Sequence, residues 1–451
     1  MIARNRKVTR TAGIVAALAA VSAGGLAGCA PQQGDDGEPG GTLTYWSMWK
    51  EGEPQQVVLA AAIEEFESST DIEVDVQWSG REVIQQITPR LAAGNPPDLF
   101  DQAGSAIQSS FAATDGVLGL DDVYDSNPVG EEKKIREVIP EAVAELYTND
   151  DGEPILVPYE VTGVTLWYNG LKVPDLTAAT WADFTAELGE LKAAGGSPIA
   201  VDGDQPYYEN YWFTYAAIRH GGAEAVVAIS TDETGESAKD PAIVAAADEV
   251  IALIEAGYLP EDFAGTKWPA QQTAWADGSN DSTFLAMGTW APSETGSALE
   301  KSGIDVESVI DYRSIPFPAA EGGAGNDVVW VDDFGFAIPS KARNAEAAKE
   351  FIRFFTAKDQ MAGIASDADN LTPRADIEPP AVLADFAAEY AAGVEADSLV
   401  TAPDATISNP NWANQVLFPI VGELFNGKFD DGDAFAEALK QRTVETLAAQ
   451  D

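Results

Sequence analysis

The segment from Gly41 to Gln102 constrains the fold more than any other, because its hydrophobic pattern alternates between strand and helix spacing. Three runs have the character of strands: 43–49, 72–78 and 98–101. Two segments between them carry apolar residues at helical spacing: 58–66 and 83–91. This succession predicts a parallel α/β unit, in which ligands gather at the carboxyl ends of the strands.

The rest of the chain continues this mixture of strands and helices. A β-rich segment at 155–169 contains Pro158 and Gly163, and a strand this long is predicted to pass from one lobe to another. A second β-rich segment, 328–338, contains Gly335. Helices are predicted at 181–194, 206–219, 243–256 and 345–356, with two more in 409–450. A chain of 451 residues exceeds what one hydrophobic core usually serves, so two domains are expected.

Charge and residue inventory exclude several functions. The chain has 26 basic and 74 acidic side chains, a net charge of −48, which opposes binding to nucleic acid and to anionic lipid headgroups. One histidine, His220, and one cysteine rule out His/Cys metal cages and histidine-dependent catalytic triads. We therefore expect no metal, no cofactor and no histidine-dependent catalysis.

The N-terminus has the pattern of a bacterial export signal. Four basic residues precede an apolar run at 12–23, and Leu-Ala-Gly-Cys follows at 26–29. This tetrapeptide resembles the bacterial lipobox, in which the cysteine is acylated and becomes the new N-terminus. We predict a signal peptide at 1–28, a lipid on Cys29 and a flexible tether at 29–40, rich in Pro, Gly, Gln and Asp. The mature protein would then lie outside the cytoplasmic membrane, anchored by this lipid alone.

Aromatic residues recur beside polar groups near the ends of predicted elements. The clusters are Trp46, Trp49 and Glu51; Tyr159 and Glu160; Trp167, Tyr168 and Asn169; 207–212; Trp290; Trp330 and Asp332; and Trp412 between two asparagines. Sugar rings stack their C–H faces on aromatic rings, and their hydroxyls pair with carboxylates and amides, so a cleft with both suits a neutral carbohydrate. Core packing is the alternative explanation for each single aromatic residue.

The order of these motifs resembles that of a known family. GTLTYWSMW, DIEVDVQW, AAGNPPDLFDQ, LVPYEVTGVTLWYN, LAMGTW and DDFGFAIPSKARNAEAAKEFIRFFTA are similar to segments of extracellular family 1 solute-binding proteins of ABC importers. This is the sugar-binding group that includes the maltodextrin-binding protein, and the resemblance covers essentially all of the mature chain. It implies a fold of two α/β lobes, each a mostly parallel sheet flanked by helices, joined by hinge strands with the ligand between them.

The resemblance also implies a set of ligand-binding residues. From the N-terminal lobe these are Ser47, Trp49, Glu51, Asp101 and Gln102; from the hinge crossings Tyr159, Glu160, Trp330 and Asp332; and from the C-terminal lobe Tyr207, Trp290 and Trp412. Arg374 is a further candidate, with a structural ion pair as the alternative, and the same choice applies to Arg81. No catalytic residue is expected.

The predicted function is capture of a sugar or oligosaccharide and its delivery to the permease of an ABC importer, by a monomer. The N-terminal lobe is predicted to comprise 41–159 and 335–369, and the C-terminal lobe 160–334 and 370–451. Two alternatives remain open: a secreted glycoside hydrolase that uses two of the many carboxylates, and an importer component that binds peptides or polyamines.

Overall fold

The computed structural model describes residues 41–174, 176–401 and 409–449. The predicted signal peptide, the lipidated Cys29 and the tether lie outside the described residues. The eight strands of the described part are β1 (Gly41–Ser47), β2 (Ile72–Trp78), β3 (Leu99–Ala103), β4 (Val157–Asn169), β5 (Phe284–Gly288), β6 (Tyr312–Ile315), β7 (Val329–Ala337) and β8 (Leu399–Val400).

The α-helices of the described part follow the predicted order, with several short ones added. They are α1 (Pro54–Ser69), α2 (Val83–Ala93), α3 (Gly104–Phe111), α4 (Asp121–Tyr124), α5 (Ile135–Val138), α6 (Glu141–Ala144), α7 (Trp181–Ala193), α8 (Pro206–Gly221), α9 (Glu224–Thr231), α10 (Pro241–Glu255), α11 (Ala270–Asp277), α12 (Ala291–Lys301), α13 (Ala345–Phe355), α14 (Lys358–Ser366), α15 (Ala384–Ala396), α16 (Pro410–Trp412), α17 (Phe418–Phe425) and α18 (Gly432–Leu447). A π-helical turn, Ala413–Leu417, joins α16 to α17.

The opening segment forms the parallel unit that its pattern predicts. β1 pairs in parallel with β2 on one side and with β3 on the other. β2 shows the predicted alternation, since its acidic side chains Glu73 and Asp75 are exposed while Val74 and Val76 pack against the core. α1 buries its apolar face, including Leu59 and Phe66, and packs against α13 and α14.

Two long strands carry the chain between the two halves of the molecule. β7 pairs with β3 through its C-terminal half and with β8 through its first two residues. β4 pairs with β7 through its N-terminal half and with β5 and β6 through its C-terminal half. The strand order is thus β2-β1-β3-β7-β4-β5. The pairings of β4 with β5, β6 and β7 are antiparallel, so the second sheet is not the mostly parallel one that was expected.

A register shift interrupts the pairing of β4 with β7. Pro158 pairs with Gly335 and Glu160 with Phe334, so Tyr159 is an extra residue in the ladder. Such a bulge bends a strand and redirects its side chains. It coincides with the predicted lobe boundary at Tyr159, although the boundaries themselves stay a prediction.

The second half is built from helices around β4, β5 and β6. α8 packs against α10 and α17, and α10 packs against α18. α7 begins as its sequence predicts, because the Thr180 side chain accepts a hydrogen bond from the Asp183 backbone N–H. Within the described residues, no helix is both long enough and apolar enough to cross a membrane.

Candidate functional site

A cavity of about 300 Å³ lies where β4 and β7 cross between the two halves. Its lining comes from both halves of the molecule and from the crossing strands: Ala103, Ser105, Thr162, Gly163, Val164, Tyr207, Tyr211, Trp290, Trp330, Val331, Asp332, Phe334 and Thr401. The structure therefore brings together four of the predicted site residues: Tyr207, Trp290, Trp330 and Asp332.

One side of the cavity is formed by four rings, Tyr207, Tyr211, Trp290 and Trp330, which we call the aromatic wall. Pro206 occupies the first turn of α8, where its missing N–H costs nothing, and the helix then presents Tyr207 and Tyr211 one turn apart. The Tyr211 ring lies edge-on to Trp330, with centroids 5.5 Å apart, and its centroid is 5.3 Å from that of Tyr207. This wall offers apolar faces to a ligand.

Trp290 is held in place by the absence of a side chain at Gly288. A Cβ atom built on Gly288 would lie 2.2 Å from the Trp290 ring. The indole therefore lies against the backbone at the end of β5, and α12 starts immediately after it. Only glycine permits this close approach.

Asp332 supplies the carboxylate of the cavity. It accepts hydrogen bonds from the Ser105 backbone N–H (3.1 Å) and hydroxyl (2.5 Å), at the start of α3, and from the Tyr147 hydroxyl (3.1 Å). Gly104 allows Tyr147 to approach, because a Cβ there would lie 2.3 Å from the tyrosine ring. The neighbouring Asp333 is fully buried, so the two acids point to opposite faces of β7, as the strand pattern predicts.

Four predicted ligand residues of the first half form a buried network behind the cavity, which we call the rear network: Ser47, Trp49, Asp101 and Tyr159. Asp101 accepts hydrogen bonds from the Ser47 hydroxyl (3.2 Å), the Met48 backbone N–H (2.8 Å) and the Tyr159 hydroxyl (2.5 Å). The Trp49 indole N–H donates to the Tyr159 hydroxyl (2.7 Å), and the Trp49 ring packs edge-on against Phe334 of the cavity lining. Burial raises the pKa of Asp101 to about 6, against the opposing effect of these hydrogen bonds. The network satisfies its own polar groups.

Glu51, Gln102 and Glu160 also lie outside the cavity lining. Glu51 is exposed in the turn before α1. The Gln102 amide is occupied by the Arg81 carbonyl and the Ala103 backbone N–H. Glu160 is 1% exposed; one carboxyl oxygen accepts a hydrogen bond from Gln55 (3.2 Å), and the other has no partner among the described residues. Burial raises the pKa of Glu160 to about 8.

Trp412 and Arg374 lie outside the cavity lining. Trp412 is completely buried, and its indole N–H donates to the Thr443 hydroxyl of α18 (2.9 Å), so its ring packs among the C-terminal helices. Arg374 is buried and forms ion pairs with Glu131 (2.8 Å) and Asp376 (2.9 Å). Both side chains thus have buried protein partners, and for Arg374 these are the ion pairs that were the alternative to ligand binding. A sequence pattern does not separate an aromatic residue in a helical core from one in a cleft.

Arg81 and His220 also lie outside the cavity lining. Arg81 pairs with Glu53 (3.0 Å), and its guanidinium lies over the Trp49 ring, 4.4 Å from the ring centroid. His220, at the end of α8, lies 3.0 Å from Glu249, whose hydrogen bond raises the histidine pKa despite partial burial. Among residues 41–174, 176–401 and 409–449, no group of three or more His, Cys, Asp or Glu side chains could hold a metal ion.

Sequence reasoning missed Ser105, Tyr147 and Thr162 as site residues. No sequence pattern around Ser105 or Thr162 indicates a binding site. Tyr147 reaches Asp332 only because α3 begins with glycine. Tyr211 was within the predicted aromatic run 207–212, but, unlike Tyr207, it was not singled out as a residue that faces the cavity.

A profile of the bacterial extracellular solute-binding proteins matches residues 51–362 of this chain. The match covers well over half of the sequence and spans both crossing strands. The chain belongs to this family, and it has the family's fold of two lobes linked by strands. The members of this family are binding proteins.

Two curated relatives are sugar-binding proteins by name. The diacetylchitobiose-binding protein NgcE of Streptomyces coelicolor is 26% identical over 287 residues, which are 60% of this chain and 57% of NgcE. A probable sugar-binding periplasmic protein of Mesorhizobium japonicum is 26% identical over 312 residues, 68% of this chain and 69% of the relative. The chain thus matches little more than half the length of NgcE.

Solved structures of the same fold align over nearly their whole length. The bacterial solute receptor AcbH, described as exclusive for β-D-galactopyranose, is 18% identical with a TM-score of 0.71, covering 91% of this chain and 99% of AcbH. A cyclo/maltodextrin-binding protein in complex with maltotetraose is 17% identical with a TM-score of 0.67, covering 92% and 98%. These alignments establish the architecture.

Proposed function

We propose that this protein captures a neutral sugar or oligosaccharide between its two lobes and delivers it to the permease of an ABC importer. In this proposal a lipid on Cys29 anchors the protein outside the cytoplasmic membrane, and the protein acts as a monomer that binds without chemical turnover. The cavity supports the proposal of a carbohydrate ligand, and the sequence pattern at 26–29 supports the proposal of a lipid anchor.

The observation that carries the proposal is the pairing of the aromatic wall with Asp332 in one cavity. Tyr207, Trp290 and Trp330 offer ring faces and edges to the C–H groups of a sugar, while Asp332 and the nearby Ser105 and Thr162 hydroxyls match its hydroxyl groups. We propose these six side chains as the ligand contacts. The rear network and Glu160 support the wall of the cavity from behind.

The proposed mechanism is closure of the lobes around the ligand. β4 and β7 are the connections, and the bulge at Tyr159 interrupts their pairing. A ligand that touches both halves stabilises the closed arrangement through its additional contacts there. We keep the lobe boundaries 41–159 with 335–369, and 160–334 with 370–451, as part of this proposal.

A thermal-shift screen of the mature protein tests the carbohydrate proposal. The panel contains galactose, glucose, N-acetylglucosamine, diacetylchitobiose, maltose and maltotetraose, with amino acids, dipeptides and spermidine as controls. A ligand that binds only the native state raises the melting temperature, by an amount that grows with its concentration. We expect a shift with at least one saccharide and none with the controls.

Two outcomes would contradict this proposal. A shift with spermidine or dipeptides alone would assign the protein to a different ligand class. Release of shorter sugars from a bound oligosaccharide during prolonged incubation, detected by chromatography, would show an enzyme.

A further inference from the structure

Two exposed aromatic side chains lie at the outer end of the aromatic wall. Among the large apolar side chains that the structure describes, Tyr207 is 38% exposed and Trp268 is 37% exposed. Tyr207 borders the cavity, whereas Trp268 lies outside it, just before α11. An exposed tryptophan loses free energy of burial, so its position next to a candidate ligand cavity calls for an explanation.

A row of rings connects Trp268 to the cavity. The Trp268 centroid lies 6.1 Å from that of Tyr208, Tyr208 lies 5.8 Å from Tyr211, and Tyr211 lies 5.5 Å from Trp330. Trp330 and Tyr211 are buried, Tyr208 is half-buried, and Trp268 is the most exposed ring of the row. The apolar surface of the cavity therefore continues outward as an aromatic strip.

The backbone fixes Trp268 in this position. Its N–H donates to the Asp204 carboxylate at 2.8 Å, in the loop that leads into α8. The two neighbouring segments, before α8 and before α11, are thereby tied together. A ring held on a fixed backbone can stack on a ligand with little loss of conformational entropy.

Polar groups suited to sugar hydroxyls lie beside this strip. Gln272 is 3% exposed; its amide N–H donates to the Glu294 carboxylate (3.1 Å), and its carbonyl oxygen has no partner among the described residues. Glu294 lies one turn after Trp290 on α12 and is exposed; partial desolvation raises the pKa of its carboxyl against the opposing effects of the Gln272 hydrogen bond and of the Arg81 charge. The Gln272 amide thereby holds the exposed Glu294 carboxylate in place.

We propose that Tyr208, Trp268, Gln272 and Glu294 form an outer subsite for a further sugar unit of an oligosaccharide whose first unit occupies the cavity. This inference rests on the proposed function, and it narrows the ligand class from sugars in general to chains longer than the cavity accommodates. Trp268 stacks on the outer unit, and the exposed Glu294 carboxylate, held by the Gln272 amide, accepts from one of its hydroxyls.

Isothermal titration calorimetry tests the outer subsite. The probes are two series, N-acetylglucosamine to tetra-N-acetylchitotetraose and glucose to maltotetraose. In the wild-type protein, affinity should rise with chain length in the series that binds. In Trp268→Ala the tetrasaccharide should lose at least about fivefold in affinity, as truncation of an aromatic contact typically does, while the monosaccharide changes less than about twofold. Trp268→Phe, which retains a ring, should give an intermediate loss.

Leu171→Ala serves as a matched control, because Leu171 is 56% exposed and lies away from the cavity. It should leave the length dependence unchanged. Equal affinities of short and long chains in the wild type, or equal losses for both in Trp268→Ala, would overturn the outer subsite while leaving sugar binding intact. Failure of both series to bind would overturn the subsite and also count against the carbohydrate proposal.

Discussion

The rear network and the aromatic wall contain the same kinds of residue but do different things. In the rear network, Trp49 and Tyr159 direct their polar atoms to each other and to Asp101, and all are buried. In the aromatic wall, Tyr207 and Trp290 present ring surface to a cavity. A tryptophan or tyrosine beside an acid is thus compatible with a satisfied core cluster and with a binding surface. The two cases differ in what the aromatic side chain contacts, which is a set of buried polar groups in the rear network and the cavity in the aromatic wall.

The largest effect that this comparison predicts is on stability. Asp101→Ala removes the acceptor of three buried donors, so the free energy of unfolding should fall by about 3 kcal/mol in urea denaturation. The folded fraction of the Asp101→Ala protein should still bind sugar with nearly normal affinity. Asp75→Ala, which removes an exposed acid from β2, is the control and should change stability by less than about 0.5 kcal/mol. Lost binding with normal stability would reassign the rear network to the ligand.

A second prediction uses Glu160, which lies next to the rear network. Its raised pKa, about 8 instead of 4.5, means that the folded protein retains a proton that the unfolded chain releases. The stability contribution is therefore complete below about pH 4.5 and is lost as the pH rises toward 8. Glu160→Gln remains neutral, so its stability relative to wild type should increase across this window, by about 2 kcal/mol or more. Parallel pH profiles for the two proteins would refute a buried, protonated Glu160.

The smallest effect is expected for the aromatic wall, and it concerns affinity. Trp290→Ala removes one ring from the cavity and should weaken sugar binding about tenfold, or about 1.4 kcal/mol, in calorimetric titration. Trp412→Phe is the matched control, because Trp412 is buried among the C-terminal helices; it should lower the melting temperature without changing affinity. The reverse pattern, with Trp412 controlling affinity, would restore the original assignment of that residue.

The predicted fold agrees with the structure because its signals are local. The alternation along β2, the helical spacing of α1 and the Thr180 cap of α7 are each encoded within a few residues, and the structure contains all three. The pattern of β4, with an internal proline and glycine, likewise predicted a strand that serves two sheets. The site is less predictable, because Ser105, Tyr147 and Asp332 are distant in sequence and meet only through packing.

The sequence by itself determined the α/β character of the chain, the order of its strands and helices, and its family, since these depend on hydrophobic period and on the order of motifs. Only the tertiary structure decided which aromatic residues form a surface and which form a core. Whether Trp49, Trp290 or Trp412 faces a cavity depends on which helix or strand packs against it. No pattern of neighbouring residues contains that information, because the packing partner comes from a remote part of the chain.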